Sequence, residues 1–307
     1  MKIHSKEIAA ASSISLMLVL STLAGFTSFL KLGNANHSYT EWMKNLDDSI
    51  SLRSINMPGS HDTMALYSIG DVAGQCQSLS LIDQLELGVR FLDIRLQEDN
   101  NFLKAVHGFV DQRASFSSIT KTIESFIDDH PSEFIIMSIK EEAQAKNSSI
   151  SFDESLKTYL TSDIYLKGSD IPASLGEVRG KVMLLSRYAN STIGVPAFNG
   201  WLDSTSFSLP NDIYVQDKFM ITSKEEKQDE IIKCFKEQGH ALKINFLSAY
   251  RTNYFPPSYA PSAALDINPW INQEISTYSD RNIVLYDFVN EENITAFFEL
   301  RAKYESC

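Results

Sequence analysis

Three short stretches of this chain hold the residue types that move protons. Ile55-Asn56-Met57-Pro58-Gly59-Ser60-His61-Asp62-Thr63 delivers a His-Asp pair directly after a Pro-Gly turn signal. An imidazole next to a carboxylate at the mouth of a loop is an acid–base arrangement, because the ordinary pKa of His lies nearest neutrality. Most such pairs, taken alone, are surface or loop-capping contacts. The weight of this one comes from Phe91-Leu92-Asp93-Ile94-Arg95 and Val106-His107-Gly108, which add a carboxylate, a guanidinium and a second imidazole.

The elements that must position these groups follow from the hydrophobic pattern. Residues 89–95 read as a strand, with Phe91, Asp93 and Arg95 on one face and Leu92 and Ile94 on the other. Asp and Arg pointing the same way among apolar neighbours fit either a buried ion pair or the polar lining of a barrel. Residues 80–87 suit a helix closed by Gly88. Strands are expected at 102–107, 134–140, 181–187, 213–216, 242–247 and 282–286. Helices are expected from Phe116 to a stop at Pro131, and over 151–160, 224–238, 267–278 and 291–304. Trp42, Met43 and Leu46 recur at near-helical spacing and read as packing. Strands alternating with helices predict a mostly parallel sheet with crossover helices. Strand after strand closes on a polar residue: Arg95, His107, Lys140, Arg187, Asp217 and Asp287. In a (β/α)8 barrel the site is built at that end, and six such residues from six strands exceed what capping explains.

At this point the chain resembles a known family. Pro-Gly-Ser-His61-Asp62-Thr, Phe-Leu-Asp93-Ile-Arg95, Val-His107-Gly, Ile-Met-Ser-Ile-Lys140-Glu-Glu142, Leu-Leu-Ser-Arg187-Tyr, Val-Gln-Asp217-Lys-Phe219 and Leu-Tyr-Asp287-Phe-Val-Asn-Glu resemble, in order, motifs of the secreted bacterial-type phosphatidylinositol-specific phospholipases C. The resemblance runs from about residue 40 to 304 and implies a single-domain, distorted (β/α)8 TIM-type barrel. It implies that the inositol 2-hydroxyl attacks phosphorus, releasing diacylglycerol and a 1,2-cyclic inositol phosphate that slower hydrolysis can open. His61 is then the general base, oriented by Asp287, and His107 the general acid, supported by Asp62. Arg95, held by Asp93, would face the phosphate where calcium-dependent relatives use a metal, so neither metal nor cofactor is expected. Lys140, Arg187 and Asp217 would bind inositol hydroxyls, with Glu142 behind them. Phe219 stands where the family often has a tyrosine; it keeps the ring face and loses the hydroxyl. Trp201 and Asp203 match the rim loosely.

Composition bounds the partners. The chain has 307 residues, 43% hydrophobic content and a formal net charge of -12. It is large enough for one sizeable core. Without a basic cluster, nucleic acid is not an expected partner, nor is bulk electrostatic recruitment to anionic membranes. The expected partner is phosphatidylinositol, or glycosylphosphatidylinositol, met by peripheral contact of a monomer. The loop 248–262, with Tyr250, Tyr254, Phe255 and Tyr259, reads either as a rigid surface loop or as an interfacial contact. Residues 8–30 carry no charge, between Lys6 and Lys31. Residues 1–35 therefore read as a signal peptide or signal anchor, and residues 36–307 as the catalytic barrel, secreted or lumenal. Sequons begin at Asn36, Asn147, Asn190 and Asn293. Three cysteines, Cys76, Cys234 and Cys307, leave any disulfide pairing open. Two rival readings are a sphingomyelinase D-like phosphodiesterase, which would need magnesium held by carboxylates, and a non-catalytic binder of inositol lipids.

Overall fold

The computed structural model describes residues 39–69, 74–251 and 260–304, with side chains as far as Phe298. Its strands are β1 (Met57–Ser60), β2 (Phe91–Asp99), β3 (Phe102–His107), β4 (Val110–Ser115), β5 (Phe134–Lys146), β6 (Tyr165–Leu166) and β7 (Lys181–Arg187). There follow β8 (Val195–Pro196), β9 (Ser206–Leu209), β10 (Ile213–Gln216), β11 (Met220–Ile221), β12 (Leu242–Phe246), β13 (Tyr250–Arg251) and β14 (Ile283–Tyr286). The α-helices are α1 (Leu81–Leu87), α2 (Phe116–Asp129), α3 (Phe152–Tyr159), α4 (Lys224–Lys236), α5 (Ala260–Glu274) and α6 (Glu291–Tyr304).

A parallel ladder runs β6-β7-β5-β2-β1-β14-β12-β10, with β9 antiparallel on the outer edge of β10. β6 and β8 share the free edge of β7, one low and one high. Alternation along each strand sorts the side chains. Phe91, Ile136, Met183, Phe246 and Leu285 fill the interior of the curl. Leu92, Ile94, Met137, Leu184 and Val284 face outward, onto Ile119 and Ile123 of α2, Leu156 of α3, Ile231 of α4 and Ile271 of α5. Each such aliphatic side chain, fully buried, contributes about 1.5–3 kcal/mol. Val195 from one end of the ladder and Phe207 from the other join the same interior cluster. The barrel is therefore completed by packing, and no ladder joins β8 to β9 among the described residues.

The local signals in the sequence are realised where they are chemically specific. Ser80 caps α1 and Gly88 ends it at φ 114°, a left-handed conformation that favours glycine. Ser151 and Glu154 form a reciprocal capping box on α3. Three expectations need correction. The polar side chains Arg95 and Lys140 lie inside their strands, because β2 and β5 run on together past the barrel rim. β3 is not a barrel strand: it pairs antiparallel with the upper half of β2, on the edge that β1 holds lower down, and β4 extends it. α5 begins seven residues earlier than expected and runs through Pro269. Residues 40–45 form turns, and Met43 is buried there, as the packing reading expected.

Among the sequons, Asn293 is buried and its amide donates to Asn272, so it offers no acceptor in the folded chain. Asn147 and Asn190 are exposed. Asn36, the leader, Tyr254, Phe255, Tyr259 and Cys307 lie outside the described residues. Cys76 and Cys234 are both buried free thiols. No helix among the described residues is long and apolar enough to cross a membrane.

Candidate active site

Two turns at the rim carry the proton-transfer groups, one after β1 and one after β14. Gly59, on the inner face of β1, lies so close to β2 that a Cβ there would stand 2.9 Å from the Cβ of Phe91. The next inward position is His61, whose N–H donates to the Tyr286 carbonyl. Each turn then passes through left-handed backbone: Asp62 at φ 40° and Phe288 at φ 50°. For these residue types that conformation costs of order 1–3 kcal/mol and persists only where surroundings hold it. Gln77 holds both. Its buried amide donates to the His61 and Tyr286 carbonyls at 2.7 and 2.8 Å, and its oxygen accepts from the Val289 N–H at 3.1 Å.

His61 Nδ1 lies 2.7 Å from Asp287 Oδ1, and Nε2 lies 2.7 Å from Arg95 Nη2. A guanidinium only donates, so Nε2 carries the lone pair and Nδ1 the proton. Burial works to lower the His61 pKa, and Arg95 adds to that; the Asp287 carboxylate overcomes both and lifts it above its ordinary value. Arg95 is held from below by Asp93, whose Oδ2 accepts from Nε and Nη2 at 3.1 and 2.9 Å. Asp93 Oδ1 accepts from Arg187 Nη1 at 2.9 Å. Burial would raise the Asp93 pKa, but Arg95 and Arg187 hold the carboxyl well below the usual range.

Arg95, Lys140 and Arg187 are register neighbours across β2, β5 and β7, so three cations stand in one inward row. Like charges directly opposite one another repel. Besides Asp93 beneath, Glu142 caps the row, 2.6 Å from Lys140 Nζ and 3.8 Å from Arg95 Nη1. Burial works to raise the pKa of Glu142, and Arg95 and Lys140 outweigh it, to about 2. Lys140 is itself lowered, by burial and then by Arg95. An anion entering the row would relieve this repulsion.

β3 runs antiparallel to β2 and ends on His107, which lines the same cleft as His61 and Arg95. Its Nδ1 is 2.9 Å from the Gly74 carbonyl and 3.6 Å from Asp62 Oδ2. The expected His107–Asp62 pair is therefore an ion-pair contact, not a hydrogen bond, in this structure. Asp62 is 1% exposed, its Oδ2 accepts no hydrogen bond, and burial raises its pKa. Cys76 Sγ lies 3.8 Å from His107 Nδ1, and burial pushes its thiol well above the ordinary value.

The groups open into a cleft of about 520 Å³, lined by His61, Arg95, His107, Lys140, Glu142, Arg187, Asp217, Phe219 and Asp287. Asp62 and Asp93 lie behind this wall, so all eleven residues singled out in the sequence fall in or against one cavity. Trp201 and Asp203 line it too. The Trp201 ring packs 3.6 Å from the Arg187 guanidinium, and its N–H donates to Asp217 Oδ2 at 3.0 Å. Phe219 faces the cleft beside Tyr250, their ring centroids 5.9 Å apart. Gln77, Cys76 and the Arg187–Trp201 stack were missed by sequence reasoning. Nothing local marks them; Gln77 sits in a stretch whose importance comes from bridging two distant turns.

The segment 55–188 matches the family model described as phosphatidylinositol-specific phospholipase C, X domain. A 1-phosphatidylinositol phosphodiesterase of Listeria monocytogenes is 30% identical over 270 residues, covering 83% of this chain and 82% of the relative. One from Staphylococcus aureus is 25% identical over 293 residues, covering 86% and 88%. The solved structure of the Listeria monocytogenes phosphatidylinositol-specific phospholipase C superposes with a TM-score of 0.71 at 25% identity, covering 86% of this chain and 98% of that one.

Proposed function

Since this chain belongs to the phosphatidylinositol-specific phospholipase C family, we propose that it is a phosphatidylinositol diacylglycerol-lyase working without a metal. Phosphatidylinositol offers a 2-hydroxyl beside its phosphodiester. His61 Nε2 takes the 2-hydroxyl proton while Nδ1–H stays with Asp287. The freed oxygen attacks phosphorus, and the bond from phosphorus to the glycerol oxygen breaks. His107 supplies the proton to that oxygen. With Nδ1 turned to Gly74 and Asp62, Nε2 is the atom left to do so. Diacylglycerol leaves, and the 1,2-cyclic inositol phosphate remains for slower hydrolysis.

Arg95 stabilises the charge that builds on the phosphate oxygens, as a fork of charge-assisted donors fixed by Asp93. The single observation that carries this reading is the contact of its Nη2 with His61 Nε2 at 2.7 Å. The guanidinium stands where base and phosphate must meet, and an arriving 2-hydroxyl takes its place as the partner of Nε2. Lys140, Arg187 and Asp217 hold inositol hydroxyls, Glu142 positions Lys140, and Phe219 gives a ring face. Tyr250 beside it brings a phenol back to the cleft, in place of the tyrosine hydroxyl that Phe219 lacks.

Free phosphatidylinositol and a glycosylated anchor present the same reacting groups, and both lie in a membrane that the chain meets peripherally. One chain suffices, since every group named comes from it. Residues 1–35 act as a targeting leader and 36–307 as the enzyme, on the non-cytosolic side. The test is to incubate phosphatidylinositol with the protein in EDTA and assay cyclic inositol phosphate. Product should form, and His61→Ala should slow it by about 10²–10⁴-fold. A requirement for calcium, or full activity of the variant, would overturn the reading.

A further inference from the structure

Cys76 has no part in the reaction just described, yet it stands between both acid–base pairs. Its position is fixed by backbone hydrogen bonds: its N–H donates to the Ala65 carbonyl at 2.9 Å and its carbonyl accepts from the Phe288 N–H at 2.7 Å. Its Sγ, His107 Nδ1 and a carboxylate oxygen of Asp62 all lie within 4.8 Å of one another. The Sγ–Nδ1 and Nδ1–Oδ2 separations are 3.8 and 3.6 Å. A tetrahedral zinc, with bonds of about 2.0–2.3 Å, needs its ligand atoms about 3.3–3.6 Å apart. A contraction of a few tenths of an ångström brings these two edges to that spacing, and the thiol–carboxylate edge lies within 4.8 Å. Asp62 is the second, independent observation: a buried carboxylate whose Oδ2 points into this space and accepts no hydrogen bond.

We propose that Cys76, His107 and Asp62 form an inhibitory site for a thiophilic divalent cation such as zinc. Thiolate, imidazole and carboxylate are together a zinc donor set, and Cys76 and His107 both line the cleft. Binding expels the thiol proton to water. It also takes the place of the proton on His107 Nδ1, leaving a proton on Nε2, and the Gly74 carbonyl, 2.9 Å from Nδ1, turns aside to admit the ion. Arg95 Nε stands 3.6 Å from the same Asp62 oxygen, and that charge is offset by Asp93 and Glu142.

The consequence follows from the mechanism proposed above, on which the inhibitory half of this inference rests. A metal on Nδ1 leaves His107 unable to become an imidazolium, and its remaining proton is far less acidic. Protonation of the glycerol oxygen should fail, while attack by the 2-hydroxyl keeps its base. Cleavage of phosphatidylinositol is then blocked, whereas an inositol phosphodiester with a nitrophenol leaving group, which needs no proton, is largely spared.

The test begins with binding, which needs no activity. Metal-free full-length protein is titrated with zinc against a chromophoric chelator, and with cobalt while following the thiolate-to-metal charge-transfer band. Wild type should bind one equivalent and give the band. Cys76→Ser should lose the band and bind zinc more than about 100-fold more weakly, beyond the loss typical of an outer-shell partner. Without metal, Cys76→Ser should cleave phosphatidylinositol as wild type does. No cobalt–thiolate band in wild type, or equal zinc affinity in the variant, overturns the site even if the enzyme proves active. Zinc binding without inhibition, reversible by EDTA, of phosphatidylinositol cleavage overturns the inhibitory role. Should Cys76→Ser fail to fold, the same titration of Cys76→Ala decides the site, with loss of the band expected.

Discussion

His61 sits between a carboxylate that raises its pKa and a guanidinium that lowers it, in a pocket whose dryness also lowers it. The carboxylate prevails, so the free imidazole titrates above about 6.5. A general base works only when deprotonated. The acid limb of kcat/KM should therefore fall above pH 6.5, and activity should rise as pH climbs through the His61 pKa. Asp287→Asn removes the chief raising influence and leaves burial and Arg95 opposed only by the smaller pull of Asp93. Its acid limb should move to lower pH while the plateau drops, because the ring loses its anchor. A pH–rate profile of the variant that keeps its limb in place would separate Asp287 from His61. At this scale the sequence was highly legible: His61, Asp93, Arg95 and His107 were identifiable by type. Asp287 stood out as a strand-closing residue, but its pairing with His61, 226 residues away, came only from the family resemblance.

At the scale of elements, the catalytic turns inherit their precision from close strand approach. Gly59 brings β1 against Phe91 of β2 and Leu285 of β14. The Phe91 atom it would meet is a Cβ, bonded directly to backbone, so it cannot swing aside. Gly59→Ala should thus displace β1 and cost about 1–3 kcal/mol, as overpacking does. His61 lies two residues on, so the displacement should also reach its contact with Asp287. Urea unfolding and kcat measured on the same preparation check this: an unchanged midpoint would mean that β1 accommodates the methyl. The strand periodicity was readable, including the shared face of Phe91, Asp93 and Arg95. The pairing of β3 was not, because a strand segment looks the same locally whether it pairs parallel or antiparallel.

For the whole molecule, the cleft opens toward a lip with exposed apolar side chains. Phe109, 86% exposed, follows His107 and Gly108 at the β3–β4 turn, and Leu202, 51% exposed, lies between Trp201 and Asp203. Scattered exposed apolar residues are ordinary; Leu202 lines the cleft, and Phe109 lies two residues after the cleft-lining His107. With a net charge of -12 the chain gains nothing from an anionic surface, so apolar insertion is the attraction left. Phe109→Ser combined with Leu202→Ser should weaken vesicle binding severalfold and spare cleavage of a soluble substrate. Equal loss on both substrates would place these side chains in headgroup binding instead.

What the sequence determined by itself was chemical identity and local form. The imidazoles, guanidinium and carboxylates, the alternation that put Asp93 and Arg95 on one face, and the helix end at Gly88 all follow from side-chain type and from sequence neighbours. Tertiary structure alone decided which of these groups meet. Stacking Arg95, Lys140 and Arg187 in one row depends on strand register, and bridging two strained turns with Gln77 depends on the closure of β14 beside β1. Setting Cys76 behind His107 depends on both. The physical reason is that periodicity fixes the face a residue occupies within its own element. The distance between residues on different elements is fixed only when those elements pack and pair.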